Sequence, residues 1–172
     1  MVIGSINMDI VVEMDRYPVT GETVSRRRVS YLPGGKGANQ AVACARLGAD
    51  VSLIGAVGDD SFGAKLLEGL VAEGVDVSGV REIHDMASGV ASIHVANDDN
   101  SIVVVRGAND ALKPALIDAC HSFQEIDILM LQLEIPIETV LYAARKAKTY
   151  GKKVLLNLYK RKGRQSCMVR RD

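Results

Sequence analysis

Apolar and polar positions divide the chain into short strands and amphipathic helices. Residues 2–6 are a short apolar run, a predicted strand that reaches the polar turn Asn7-Met8-Asp9, and residues 10–14 continue extended. After a turn at 18–21, residues 22–32 read as another strand. It carries Arg26, Arg27 and Arg28, charges of the kind that blunt an exposed sheet edge. A small-residue helix is predicted from about Ala38 to Leu47, with Gly48 suited to its C-terminal cap. Residues 50–57 form a buried-type strand. Phe62, Leu66, Leu67, Leu70 and Val71 then recur at helical spacing, with Asp59, Asp60 or Ser61 as a cap and Gly74 as a stop. Runs at 88–96 and 101–106 flank Asn97-Asp98-Asp99-Asn100, a hairpin signal. Helices are predicted from Leu112-Lys-Pro114 to about 122 and from Pro136 to about 150, and strands at 127–133 and 153–157.

The repeated strand–helix–strand order from 38 to 157 predicts an α/β fold, a parallel sheet flanked by helices. The strands at 10–14, 22–32, 88–96 and 101–106 have short connections, which predicts a small, mostly antiparallel second sheet. Sites in open α/β sheets lie at the carboxyl ends of the parallel strands. Asn7 and Asp9 follow the first strand and Glu134 follows a later one, so these residues can converge on one crevice.

Composition narrows the classes. At 172 residues with 48% hydrophobic and 24% charged content, the chain fits one soluble domain with a real core. No apolar run approaches the roughly 20 residues of a membrane helix, and no signal peptide is evident at the N-terminus. Cys44, Cys120 and Cys167 are odd in number and widely spaced, as for reduced thiols in the cytoplasm. His84, His94 and His121 lack metal-ligand spacing. The net charge of zero hides an asymmetry: 160–172 holds six Lys/Arg and one acid, and the remainder holds 15 basic and 20 acidic residues. The body is therefore a poor match for nucleic acid. The basic tail could act as a nuclear or nucleic-acid tag, but its lack of pattern fits an out-of-frame peptide better.

The chemistry centres on Tyr31-Leu-Pro-Gly-Gly-Lys-Gly-Ala-Asn-Gln40, an extended segment turning through glycines into a helix start. Such a start presents free N–H groups to polar or anionic ligands, with Lys36, Asn39 and Gln40 at its mouth. The stretch is not a Walker A loop: Ser30 stands where the first glycine would be, and Gly37 follows Lys36. It also lacks the third glycine of Gly-x-Gly-x-x-Gly. A tight turn with close helix–sheet packing accounts for it equally well. Asp59-Asp60 resembles a metal pair, but two acids in a first turn are more simply helix caps. Asp9, Glu134, Asn7 and Asn39 together supply carboxylates and amides able to bridge the paired hydroxyls of a polyol.

Gly34-Gly-Lys-Gly-Ala-Asn-Gln-Ala-Val-Ala43 resembles the first signature of the ribokinase (PfkB) family of sugar kinases. Gly4-Ser-Ile-Asn-Met-Asp9, Gly21-Glu-Thr23, Gly58-Asp-Asp60 with Phe62-Gly63, and Leu131-Gln-Leu-Glu134 are similar to further family segments. The resemblance implies a partial ribokinase-like domain over 1–157, with lid strands near 10–32 and 88–106. It also implies that Asn7, Asp9 and Asn39 contact ribose hydroxyls, that Gly35 approaches the sugar through its backbone, that Lys36 lies beside it and that Glu134 binds it. The family reaction is ATP-dependent phosphorylation of D-ribose to ribose 5-phosphate, with Mg2+ and a monovalent cation (K+). The resemblance also implies a homodimer contact through the lid strands. Membrane and nucleic acid are not expected partners.

The resemblance ends at Leu158, where 158–172 runs into an unmatched basic tail. The family's catalytic base is an aspartate in a glycine-rich helix start farther along, and no Gly-Ala-Gly-Asp-like segment occurs here. Gly107-Ala-Asn-Asp110 is only an echo, expected to be the loop after a lid strand. No catalytic residue is therefore assigned, and the chain is expected to be the sugar-binding and lid half, inactive alone. The alternatives are a non-catalytic sugar-binding or dimerisation module, or a fragment of a related PfkB-type sugar or nucleoside kinase.

Overall fold

The computed structural model describes residues 1–24, 28–97, 99–118 and 123–158, and the backbone of 166–168. Its elements in order are β1 (Val2–Ile3), β2 (Asn7–Glu13), β3 (Val29–Gly34), α1 (Lys36–Arg46), β4 (Ser52–Gly58), α2 (Ser61–Ala72) and β5 (Asp76–Ile83). They continue with β6 (Gly89–Ala96), β7 (Asp99–Val105), a 3-10 turn (Gly107–Ala111), α3 (Pro114–Asp118), β8 (Ile128–Leu131), α4 (Ile137–Thr149), β9 (Lys153–Leu158) and β10 (Ser166–Met168).

Two sheets result. The larger has the order β10-β9-β8-β1-β4-β5, parallel from β9 through β5, with β10 antiparallel at the β9 edge. β4 is buried along nearly its whole length, as a central parallel strand covered on both faces must be. One core, with Ile3, Ile54, Leu129, Leu131 and Phe123, lies under α3 and α4. The other, with Val2, Leu53, Val57, Leu66 and Leu70, lies under α1 and α2. The small residues of α1 have a packing reason: a Cβ on Gly37 would come 2.6 Å from the Gly4 carbonyl carbon. The smaller sheet has the order β3-β2-β6-β7, in which β2–β6 is parallel and the outer pairs are antiparallel. The predicted α/β class and mostly antiparallel second sheet are both present.

Several boundaries move. Residues 2–6 are not one strand: β1 stops at Ile3, and β2 starts at Asn7 instead of Ile10. The polar stretch 7–9 is therefore strand, not turn, because alternation buries Met8 in the core and turns Asn7 and Asp9 to the other face. α1 starts at Lys36, ahead of the expected Ala38. β5 was not anticipated. It is a sheet edge whose Ser78 and Gly79 break the apolar pattern. Residues 107–111 form a 3-10 turn where a loop was expected. Arg26, Arg27, His121, Cys120 and the end of the helix starting at Pro114 lie outside the described residues, as do the Cys167 side chain and nearly all of the tail.

The chain crosses from core to lid at the carboxyl edge of the large sheet, once between β1 and β2 and once between β5 and β6. Asp60 latches the second crossing. It caps α2 by accepting the Gly63 N–H at 2.8 Å, and it also accepts the Ser88 N–H and hydroxyl at 2.8 and 2.7 Å. Helix capping is thus the role of Asp60, whereas Asp59 meets exposed His84 at 3.3 Å. Among the described residues no helix is long and apolar enough to cross a membrane.

Leu131→Ala should lower unfolding free energy by about 2–5 kcal/mol through cavity formation. Leu47→Ala, at a site 87% exposed, should change it by less than about 0.5 kcal/mol. Urea denaturation of both variants checks the placement of the core.

Candidate functional site

Adjacent parallel strands β1 and β8, in register at Ile3 and Leu131, end side by side. Ser5 follows the first and Glu134 the second, and both meet the start of α1. Ser5 Oγ donates to Glu134 Oε2 at 2.7 Å, the Lys36 N–H donates to the same oxygen at 3.2 Å, and Lys36 Nζ lies 2.8 Å from Oε1. α1 has no side-chain cap of its own. The carboxylate of Glu134, 98 residues away from Lys36, takes that place against the positive end of the helix. Burial alone would push the Glu134 carboxyl up. The Lys36 ammonium and N–H and the Ser5 hydroxyl outweigh it and hold the carboxyl below its ordinary value.

Gly35 makes this approach possible. Its φ is +89°, and a Cβ there would lie 2.7 Å from the Ser5 carbonyl oxygen and 2.8 Å from the Asn7 nitrogen. Asp9 stands on β2 with its carboxylate against Gly34, where a Cβ would come within 2.3 Å of Oδ2. Burial, and secondarily the negative charge of Glu134, push the Asp9 carboxyl up. Among the described residues no hydrogen-bond donor is recorded to it. Asn7 is buried at the start of β2, and its Oδ1 accepts from Asn109 Nδ2 at 2.8 Å.

The structure thus brings Asn7, Asp9, Gly35, Lys36 and Glu134 near one another where β2, the end of β8 and the start of α1 meet. Asn39 is exposed on the first turn of α1, its N–H bonded to the Gly35 carbonyl at 2.9 Å, beside a groove lined by Pro33, Val42 and Leu66. Sequence reasoning missed Ser5 and Asn109, whose partners are more than 100 residues away, and Gln132, buried with its Nε2 donating to Gln40 Oε1 at 2.6 Å.

The electrostatics favour one ligand class over another. A helix start can hold a polar or anionic ligand, and at α1 the Glu134 carboxylate already takes the first N–H. With Asp9 close by, two carboxylates face one ammonium, which opposes a phosphate and suits a neutral ligand whose hydroxyls donate to Asp9. Among the described residues no group of three or more His, Cys, Asp or Glu could hold a metal ion.

Glu134 yields a signed pH dependence. Its folded value lies below 4.5, so its stabilisation is complete above that pH and is lost as pH falls through the folded value. Asp9, raised above 3.8, acts in the opposite sense over its own window. Glu134→Gln should cost about 1–3 kcal/mol at pH 7. Its deficit relative to wild type should shrink as denaturation is repeated at progressively lower pH below about 4.5.

Comparison with known proteins gives a consistent picture. The model for the pfkB family carbohydrate kinases matches residues 1–171. A ribokinase from Bacillus subtilis is 45% identical over 157 residues, covering 91% of this chain and 54% of that protein. Among solved structures, a ribokinase from Thermotoga maritima has a TM-score of 0.81 at 37% identity, covering 90% of this chain and 50% of that one. Arabidopsis thaliana ribokinase, complexed with ribose and ATP, has a TM-score of 0.79 at 34% identity, covering 90% and 51%. The chain spans about half the length of the relatives it matches. On its sequence and its fold, this chain belongs to the pfkB family of carbohydrate kinases.

Proposed function

We propose that the crevice binds D-ribose and that the chain is the sugar-binding and lid half of a ribokinase, the enzyme that phosphorylates ribose at its 5-hydroxyl with ATP. The observation that carries this reading is the half-buried Asp9 carboxylate, which has no recorded donor among the described residues and stands beside an α1 N-terminus closed by Glu134. Asp9 accepts from neighbouring hydroxyls, Asn7 adds an amide, and Gly35 lets the sugar approach the backbone. Lys36 and Glu134 bound the crevice from the core side. Asn39 would join them from the first turn of α1. The lid sheet covers the sugar and excludes water.

ATP, Mg2+ and a monovalent cation belong to the complete family reaction. No residue of this chain is assigned to hold them. No catalytic base is assigned, because the glycine-rich segment ending in aspartate does not occur in the 172 residues. The chain on its own is therefore proposed to bind sugar without turning over ATP.

A dimerisation role is favoured by a separate observation. Every residue of β7 is exposed, including Ile102, Val103, Val104 and Val105, as are Val29, Tyr31 and Leu32 on β3 at the other edge. Apolar edges of this kind invite pairing with a second copy of the chain.

Titration calorimetry should show D-ribose binding that Asp9→Asn weakens about tenfold or more, with fructose and adenosine binding less well. A coupled assay should show no ribose-dependent ATP turnover, and turnover above a contaminant control would contradict the half-enzyme reading. In sedimentation, a dimer should revert to monomer on Val103→Lys with Val105→Lys.

A further inference from the structure

Asn109 is the buried polar residue at the lid crossing that ribose binding leaves unused. It is 1% exposed, on the 3-10 turn that follows β7. Its Oδ1 accepts the Ile6 N–H at 2.9 Å. Its Nδ2 lies 3.1 Å from the Ile6 carbonyl, 3.0 Å from the Arg106 carbonyl and 2.8 Å from Asn7 Oδ1, with its two hydrogens shared among these three acceptors. Three of these four partners are main-chain groups whose polarity cannot reverse. An N–H must meet the Asn109 oxygen, and two carbonyls must meet its nitrogen. The ends of an amide are alike in shape and are told apart by their hydrogen bonds. Here the backbone makes that choice.

The same logic passes one residue outward. The Asn7 atom that faces Asn109 Nδ2 must be an acceptor, so Oδ1 is turned inward and the NH2 group outward. Among the described residues no acceptor is recorded for that NH2. Asp9 lies two positions along β2 and therefore on the same face of the strand.

We propose that Asn109 is a positioning residue that turns the Asn7 carboxamide so that its NH2 faces the crevice. The crevice then offers one donor, Asn7, beside one acceptor, Asp9. Adjacent hydroxyls match that pair, since one oxygen accepts while the other O–H donates. With the Asn7 amide reversed, both groups would be acceptors and the hydroxyl oxygen would go unmatched. Space enforces the arrangement too: Gly34, Asn7 and Gly89 lie in one row across three strands, and a Cβ on Gly89 would sit 2.2 Å from both Asn109 Nδ2 and Asn7 Oδ1. The orientation of Asn7 stands on these contacts alone. Its use in ribose recognition rests on the function proposed above.

Two measurements on the full chain test this. In the ligand-free protein, side-chain amide exchange by NMR should find the Asn109 NH2 protons slow and the Asn7 NH2 protons fast. The reverse order overturns the proposal. This readout needs no ligand and no variant, so it decides the orientation even if D-ribose fails to bind, a result that would instead contradict the ribose reading. The second measurement is a calorimetric double-mutant cycle with D-ribose. Asn109→Ala and Asn7→Ala should each weaken binding about tenfold, and the double variant should bind no more weakly than Asn7→Ala. Losses that multiply would show that Asn109 acts on the sugar site by a route other than Asn7, and would overturn its assignment as a positioning residue. Should Asn109→Ala fail to fold, the exchange order decides.

Discussion

The contact on which the site depends is the Glu134 carboxylate against the first turn of α1. It joins three segments distant in sequence: the end of β1 through Ser5, the end of β8 through Glu134 itself, and the helix start through the N–H and ammonium of Lys36. A carboxylate half-withdrawn from water is stabilised by hydrogen bonds and an opposite charge, and Glu134 has both. The contact also sets the chemistry. A helix N-terminus that would otherwise draw a phosphate is already met by Glu134, which supports the proposed neutral ligand beside it.

The lid and the core are tied where the chain passes between them. Asp60 and Ser88 hold one crossing, and Asn109 holds the other against Ile6. Because β2 leaves the core directly at Asn7, two of the residues proposed to touch the sugar, Asn7 and Asp9, are also among the first residues of the lid. Binding and lid position are therefore one mechanical problem, and the bonds that fix the crossing also fix the polarity of the site.

Much of this was legible in the sequence because it is local. The apolar run of β4, the spacing of Leu66 and Leu70 in α2, and the Asn97–Asn100 hairpin each carry their own signal. The glycine turn into α1 and the acids at 9 and 134 were legible as candidate chemistry. What was not legible depended on tertiary context. Asn7 and Asp9 read as turn residues, since polar side chains in a strand are recognised only once the buried face, through Met8, is known. β5 carries Ser78 and Gly79 and gains its strand character from pairing with β4. Asn109 resembled an ordinary loop residue because its partners Ile6 and Asn7 are more than 100 residues earlier.

The most direct test is a crystal structure of the chain grown with D-ribose. The account predicts one sugar in the crevice, with adjacent hydroxyls on Asp9 and Asn7, its ring near the Gly35 backbone, and the Glu134–Lys36 pair intact beneath it. A crevice left empty at saturating ribose, or a sugar bound elsewhere, would contradict the central claim.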